Sequence, residues 1–289
     1  MSKENLVFMQ FHAIYKMGRI VMKILFTDLD GTLLNKESKV SVRTKKFLDE
    51  FTAAGNKLVL SSGRPLDSII EVKEKSGLDY DGVIIIASNG TQIYDCDSKT
   101  AILEKRMPLS YVSYLQARAR ECGLHIHTYT DDAIVCDSED AEIIYYRRRI
   151  HLPLVIADDY ASALPKEPFK MLAIDLKDHD KLTNFRTSIS DWASDKISSI
   201  FSNDYYLELF VHDAGKGNAV RYIYEHFGVS REDTYAAGDA QNDISMIEAA
   251  GCGIAMLNSP DIVKKAADVI TQKDNDNDGL AEYMWSVLE

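Results

Sequence analysis

Two aspartates one residue apart, Asp28 and Asp30, close an apolar run in "KILFTDLDGTLL". Acids are poor strand formers and costly to bury, so a pair of them at the end of a core strand needs a reason. One of them could cap the following turn, as aspartate often does. The pair reads instead as a carboxylate site at the C-terminal edge of a sheet, where open α/β folds bind ligands. Three further signals stand at predicted strand ends. "LSSGRP" places Ser62 before the Gly63-Arg64 turn, and "GKGNAV" places Lys216 where a helix begins. "YAAGDAQNDISMI" places Asp239 after a strand, with Asn242-Asp243 on the turn into a helix. Singly, each has a plain structural reading as a cap or a solvated charge. Together their chemistry is complementary. Asp28, Asp30 and Asp239 supply the hard oxygen ligands that suit Mg2+. Ser62 offers a neutral hydrogen bond, Lys216 a positive charge, and the Gly31 turn backbone N–H groups. A phosphate ester would meet all of these, with one carboxylate left free to attack.

For such residues to converge, the strands that carry them must be parallel. After the opening strand, "SVRTKKFLDEFTAAG" predicts a helix with Ser41 as N-cap and Gly55 as its stop. "NKLVLSSGRP" and "GVIIIASNG" are short buried strands separated by the helical "LDSIIEVKEKSG". Near-continuous apolar strands alternating with helices imply right-handed crossovers and a parallel sheet. The pattern changes after Asn89-Gly90. A helix capped by Ser110 leads to the hairpin "HIHTYT"–"AIVCD", and "FKMLAIDL", a helix near 180–193 and the pair "KISSIF" and "YYLELFV" follow. From "GKGNAVRYIYEHFG" onward, strand–helix alternation returns. The expected fold class is therefore α/β: a Rossmann-like parallel-sheet core over 22–90 and 208–289, with an inserted α+β cap over 91–207. Residues 1–21, broken by Lys3, Glu4, Lys16 and Arg19, lack the apolar core of a signal peptide and are expected to be a dispensable extension.

"DLDGTLL", "SSGRP", "KG" and "GDAQNDISMI", in this order, resemble the four motifs of the haloacid dehalogenase (HAD) superfamily of phosphatases. The insertion between the second and third motifs resembles subclass IIB, the Cof-like hydrolases. "ASNGTQIY", "FKMLAIDL", "CGIAMLNSP" and "DNDGLAEYM" are similar to that branch as well. The resemblance implies that Asp28 is a nucleophile forming an aspartyl-phosphate, and that Asp30 protonates the leaving alkoxide and then activates water. It implies Mg2+ held by Asp28, the Asp30 carbonyl and Asp239, with Asp243 direct or through water. Ser62 and Lys216 would bind the transferring phosphoryl group, with Asn242 positioning Lys216 or the phosphate; Gly31, Gly63, Arg64 and Asn89 complete the expected phosphate-binding set. One departure stands out: "VHDAGKG" precedes the third motif where the branch often carries Pro-x-Gly-Val/Ile-x-Lys-Gly, which touches the loop's shape but not Lys216.

A formal charge of −12 and a pI near 5.1 argue against non-specific nucleic-acid binding, and no apolar run is long enough to span a membrane. Cys96, Cys122, Cys136 and Cys252 form no metal-type spacing, so a reduced cytoplasmic protein is expected. "DNDNDG", Asp274–Gly279, starts like a calcium loop but has Trp285 at the twelfth position, and reads as an acidic surface loop. His125 and His127 read as a packed or solvated strand face, and Tyr145–Arg149 as a solvated helix face. The Arg147–Arg149 cluster and the turn from Tyr129 to Asp132 are the expected recognition elements of the cap. The function expected is Mg2+-dependent hydrolysis of small phosphorylated metabolites, such as sugar phosphates or phosphorylated cofactors. The alternatives are a phosphomutase or dedicated glycosyl-phosphate phosphatase, and a silent binding or regulatory protein. Intact Asp28, Asp30, Lys216 and Asp239 weigh against the last. Neither the substrate itself nor the oligomeric state is legible in the residues.

Overall fold

A computed structural model describes residues 22–148, 150 and 152–288, so the expected extension 1–21 and Arg149 lie outside the described residues. Strands β1 (Ile24–Asp28), β2 (Lys57–Ser61) and β3 (Ile84–Ala87) are followed by β4 (Gln92–Asp95) and β5 (Thr100–Glu104). The middle of the chain supplies β6 (His125–Tyr129), β7 (Ile134–Cys136), β8 (Leu154–Ile156), β9 (Lys170–Ile174), β10 (Ile197–Asn203) and β11 (Tyr206–Val211). The last third adds β12 (Thr234–Gly238), β13 (Cys252–Ala255) and β14 (Val269–Ile270).

The first sheet runs β14-β13-β12-β1-β2-β3-β4-β5, parallel from β14 to β3. β1 is buried at every position, as a strand covered on both faces must be. On one face Leu25 packs with Phe47, Phe51, Leu280 and Met284 from helices Val42–Ala53 and Gly279–Leu288. On the other, Phe26 packs with Val220, Ile223 and Met246 from helices Lys216–His226 and Ile244–Ala249. Ser41 caps the first helix by accepting from the Thr44 N–H, and Gly55 follows it at φ +85, as the sequence predicts.

The second sheet runs β10-β11-β9-β6-β7-β8 and is antiparallel except for β7–β8. Its bounds correct the expected insertion. The chain does turn antiparallel after Gly90, but β4 and β5 remain on the first sheet, pairing β3 through Ile86↔Ile93 and Ile85↔Tyr94. β4 keeps Ile93 fully buried there. At the other end β11 runs to Val211 within the second sheet, so Glu208 belongs to the cap and not to the core. The cap thus spans β6–β11 with its leading helix Leu109–Glu121, whose N-cap is Pro108 and not Ser110. The Asp274–Gly279 loop is structural: Asn275 Nδ2 donates to the Leu34 carbonyl at 2.8 Å and Asp278 accepts from Thr44 Oγ1 at 3.0 Å. No helix among the described residues is long and apolar enough to cross a membrane.

Candidate active site

Strand order reverses between β1 and β12, which makes their C-terminal ends the switch point of the sheet. Asp28 ends β1, Asp239 follows β12 and Ser62 follows β2, so three of the four expected segments lie side by side, with Asn89 after β3 next to them. The helix Lys216–His226 brings its first residue beneath them. Lys216 Nζ is fully buried, 2.6 Å from Asp28 Oδ1 and 2.6 Å from Asp243 Oδ1. The other Asp243 oxygen accepts from the Asp239 and Ala240 N–H groups, both at 3.0 Å, which fixes the loop that carries Asp239.

Gly31 is required twice over. Its φ is +81, and a Cβ there would lie 2.4 Å from Asp239 Oδ2. The turn closes through Leu34 N–H to the Leu29 carbonyl at 2.8 Å, and Thr32 Oγ1 donates to Asp239 at 3.1 Å.

One carboxylate oxygen from each of Asp28, Asp239 and Asp243 lies within 4.8 Å of the others. With Lys216 as their buried counter-ion, the three acids keep an excess of negative charge. The titration of the cluster reflects it. Burial and then Asp243 hold Asp28 well above the usual carboxylate range, with Lys216 pulling the other way. Burial and Asp243 push Asp239 up to about 7. Burial disfavours the Lys216 charge, yet Asp243 and Asp28 hold its pKa above the ordinary lysine value. A hard, all-oxygen donor set with surplus negative charge fits a divalent cation.

Asp30 is placed differently. Its carboxylate takes a two-point contact from Arg64, at 2.8 Å from Nε and 2.7 Å from Nη2. Arg64, expected on the phosphate, lines the same cavity and holds the candidate acid. Ser62 is buried, and its Oγ accepts from the Arg64 N–H at 3.2 Å. Asn242 does not reach Lys216; its Nδ2 donates to Asn89 Oδ1 at 3.1 Å. Asn89 takes φ +59, and its own Nδ2 is buried without a hydrogen-bond partner among the described residues.

The cavity above these groups is roofed by the cap. Asp28, Asp30, Ser62, Gly63, Arg64 and Asn242 line it from below. Tyr146, Lys170, Ser202, Asn203, Tyr206 and Glu208 line it from above. Lys170 Nζ lies 2.7 Å from Glu208 Oε2 and donates to the Gly63 carbonyl at 2.6 Å, joining cap to core. Sequence reasoning missed these cap residues, and it read Tyr146, which is buried, as part of a solvated helix face. The usable signal was a charge inside an apolar strand, Lys170 in "FKMLAIDL" and Glu208 in "YYLELFV". The expected cap elements lie elsewhere. Neither Arg147 nor Arg148 lines this cavity, and Tyr129 to Asp131 line a neighbouring one.

The profile of the haloacid dehalogenase-like hydrolases matches residues 25–284. The chain belongs to that family. A solved HAD-like hydrolase from Bacteroides thetaiotaomicron is similar at 32% identity and a TM-score of 0.82, covering 92% of this chain and 99% of the other. A solved structure described as a HAD subclass IIB sugar phosphatase is similar at 25% identity and a TM-score of 0.78, covering 92% and 99%. A pyridoxal phosphate phosphatase of Escherichia coli is 28% identical, over 92% of this chain and 98% of its own. Within the HAD family the chain falls in the Cof-like subclass IIB branch, and its activity class is that of a phosphatase acting on phosphorylated substrates.

Proposed function

We propose that this HAD phosphatase hydrolyses small phosphorylated metabolites with Mg2+, through a phosphoryl group carried transiently on Asp28. The observation that carries the reading is Lys216 Nζ, 2.6 Å from both Asp28 and Asp243 on the floor of a cap-roofed cavity. Asp28, Asp239 and Asp243 would hold the ion, together with the Asp30 carbonyl. When bound, Mg2+ would neutralise charge on the phosphoryl oxygens. Lys216 keeps one Asp28 oxygen oriented, leaving the other to attack phosphorus in line with the ester oxygen. Asp30, once protonated and released from Arg64, gives its proton to the departing alkoxide, then takes one from the water that cleaves the acyl phosphate. Ser62 and the Gly31 turn offer hydrogen bonds to the phosphoryl oxygens. The roof, closed by Lys170 on Gly63, favours small leaving groups over polymers. Subclass relatives described as a sugar phosphatase and a pyridoxal phosphate phosphatase support a small metabolite as substrate.

The test is hydrolysis of 4-nitrophenyl phosphate with Mg2+ and with EDTA, followed by a panel of sugar phosphates and phosphorylated cofactors. Asp28→Asn, which keeps volume but removes the attacking carboxylate, should lower kcat by about three orders of magnitude or more. A variant that retained a tenth of native kcat would remove Asp28 from the nucleophile role.

A further inference from the structure

The cap contains a hydrogen-bonded chain that the chemistry above does not use. His125, His127 and Tyr129 alternate on β6 and so share one face. His125 Nδ1 lies 2.7 Å from Asp140 Oδ2, and His125 Nε2 lies 3.0 Å from His127 Nδ1. His127 Nε2 lies 2.8 Å from the Tyr129 hydroxyl, which donates to the Tyr146 hydroxyl at 2.7 Å. Tyr146 lines the active cavity, whereas Asp140 is one-third exposed at the far end. The links between them are buried.

The protons in this chain can be counted. A tyrosine hydroxyl has one proton, and Tyr129 spends it on Tyr146. Its oxygen must then accept from His127 Nε2. Burial, followed by the charges of His125 and Lys170, depresses the His127 pKa well below the ordinary value, so this ring carries one proton only. That proton is on Nε2, so Nδ1 is bare and accepts from His125 Nε2. His125 Nδ1 faces a carboxylate, which only accepts. This order of bonds therefore requires a proton on each His125 nitrogen, the Nδ1 one facing Asp140. Burial works against the Asp140 charge, but hydrogen bonds from His125 and the Ile143 N–H hold its pKa below the ordinary value. At the other end Tyr146 accepts from Tyr129, so its own proton is free for the cavity. Removing the Nε2 proton from His125 reverses every bond beyond it. His127 then donates through Nδ1, Tyr129 donates to His127, and Tyr146 donates to Tyr129 and shows the cavity only lone pairs.

Other groups around the chain do not replace this counter-charge. Cys136 faces it from β7, and Tyr206 and Glu208 face it from β11. Lys170 on β9 sits 5.3 Å from the Tyr129 ring centre and is paired with Glu208, while Arg64 of the core is paired with Asp30. Asp140 is the acid in contact with His125.

We infer that Asp140, His125, His127 and Tyr129 are positioning residues that set Tyr146 as a hydrogen-bond donor to an acceptor atom on the leaving group. The inference rests on the phosphatase reading of the cavity and names the feature its substrate must present. Burial and then Glu208 hold the Tyr146 proton on far above neutrality, so the hydroxyl acts as a neutral donor. Asp140→Asn has a defined outcome, because asparagine can still accept from the Ile143 N–H and cap the helix Ala141–Tyr146, while its amide nitrogen donates to His125 Nδ1 and leaves the order of the chain beyond it unchanged.

Two readouts test it. Ring-nitrogen NMR shifts of 15N-histidine-labelled protein at neutral pH should show His127 neutral with its proton on Nε2, and His125 doubly protonated. In Asp140→Asn, His125 should lose its Nδ1 proton, because the amide nitrogen now donates there, while His127 keeps its proton on Nε2. A native His127 protonated on Nδ1, or a singly protonated native His125, overturns the relay. The second readout is the ratio of kcat/KM for glycerol 1-phosphate over propyl phosphate, esters that differ in acceptor hydroxyls. Tyr146→Phe should lower this ratio about fivefold, the scale of one hydrogen bond, whereas Asp140→Asn, which keeps the order of the chain, should leave it near the native value. An unchanged ratio in Tyr146→Phe overturns the role of Tyr146. Should Asp140→Asn not fold, Tyr146→Phe and the native tautomers still decide. A native protein that fails to turn over 4-nitrophenyl phosphate with Mg2+ would instead overturn the phosphatase reading, and with it the proposed role of Tyr146, while the histidine shifts still report on the chain.

Discussion

At the scale of single residues, the site is governed by surplus negative charge. Asp239, pushed up to about 7 by burial and Asp243, binds a proton in the folded chain that it releases near its ordinary pKa of 3.8 when unfolded. Between those values the native state holds more protons than the unfolded state, so metal-free stability falls as pH rises through that window. A divalent ion must displace the same proton, so its affinity rises with pH across the window. The Mg2+-induced rise in melting temperature should therefore be larger at pH 8 than at pH 5. Asp239→Asn should raise metal-free stability at pH 8 and abolish the Mg2+ response. Thermal melts with EDTA and with Mg2+ check both, and a Mg2+ shift independent of pH would reject the cation site. Asp30 poses a different question, because Arg64 clamps it. Asp30→Asn should cost more with alkyl phosphates than with 4-nitrophenyl phosphate, since an activated leaving group departs without a proton. Steady-state kinetics on both esters decides, and equal losses would exclude the acid role.

At the scale of elements, backbone turns and strand pairs decide whether those residues meet. Gly31→Ala would add a Cβ 2.4 Å from the Asp239 carboxylate at a φ of +81. Strain of about 1–3 kcal/mol is expected, with displacement of a metal ligand. A melting temperature lower by several degrees and a weakened Mg2+ shift should result; an unchanged melt would show that the turn relaxes freely. In the cap, β9 and β11 bury Lys170 against Glu208, with side chains 2% and 6% exposed. Lys170→Met would leave the Glu208 carboxylate unpaired, a loss of about 3–5 kcal/mol. Adding Glu208→Gln should recover part of it, because the uncompensated charge is then gone. Melts of the single and double variants measure the recovery, and additive losses would contradict a paired role.

For the whole molecule, two connections, 105–108 and 212–215, join the cap to the core. Lys105 Nζ ties them together, at 2.6 Å from the Asp213 carbonyl and 2.8 Å from its carboxylate. Ser202 and Asn203 of β10 reach the cavity from the cap side, away from the phosphate floor. Ser202→Ala and Asn203→Ala should thus lower turnover of a phosphorylated metabolite more than that of 4-nitrophenyl phosphate. Parallel losses on both substrates would assign the cap to closure alone.

The acids of "DLDGT" and "GDAQND" were legible because each depends on local facts: an apolar strand, its end, and a glycine turn. Alternation of buried strands with helices implied a parallel sheet, and a parallel sheet puts strand ends at one edge, so convergence followed without coordinates. Tertiary structure decided what depends on partners distant in the chain. β4 and β5 look locally like the start of a new antiparallel unit, yet their pairing with β3 keeps them in the core. Arg64 lies next to the phosphate motif, but 34 residues separate it from Asp30, the carboxylate it binds. The chain from Asp140 to Tyr146 crosses a strand and a helix, and strand periodicity could show only that its histidines share a face. Hydrogen-bond direction belongs to the assembled cluster, because each proton's place is set by the next group along, and no local residue pattern encodes that order.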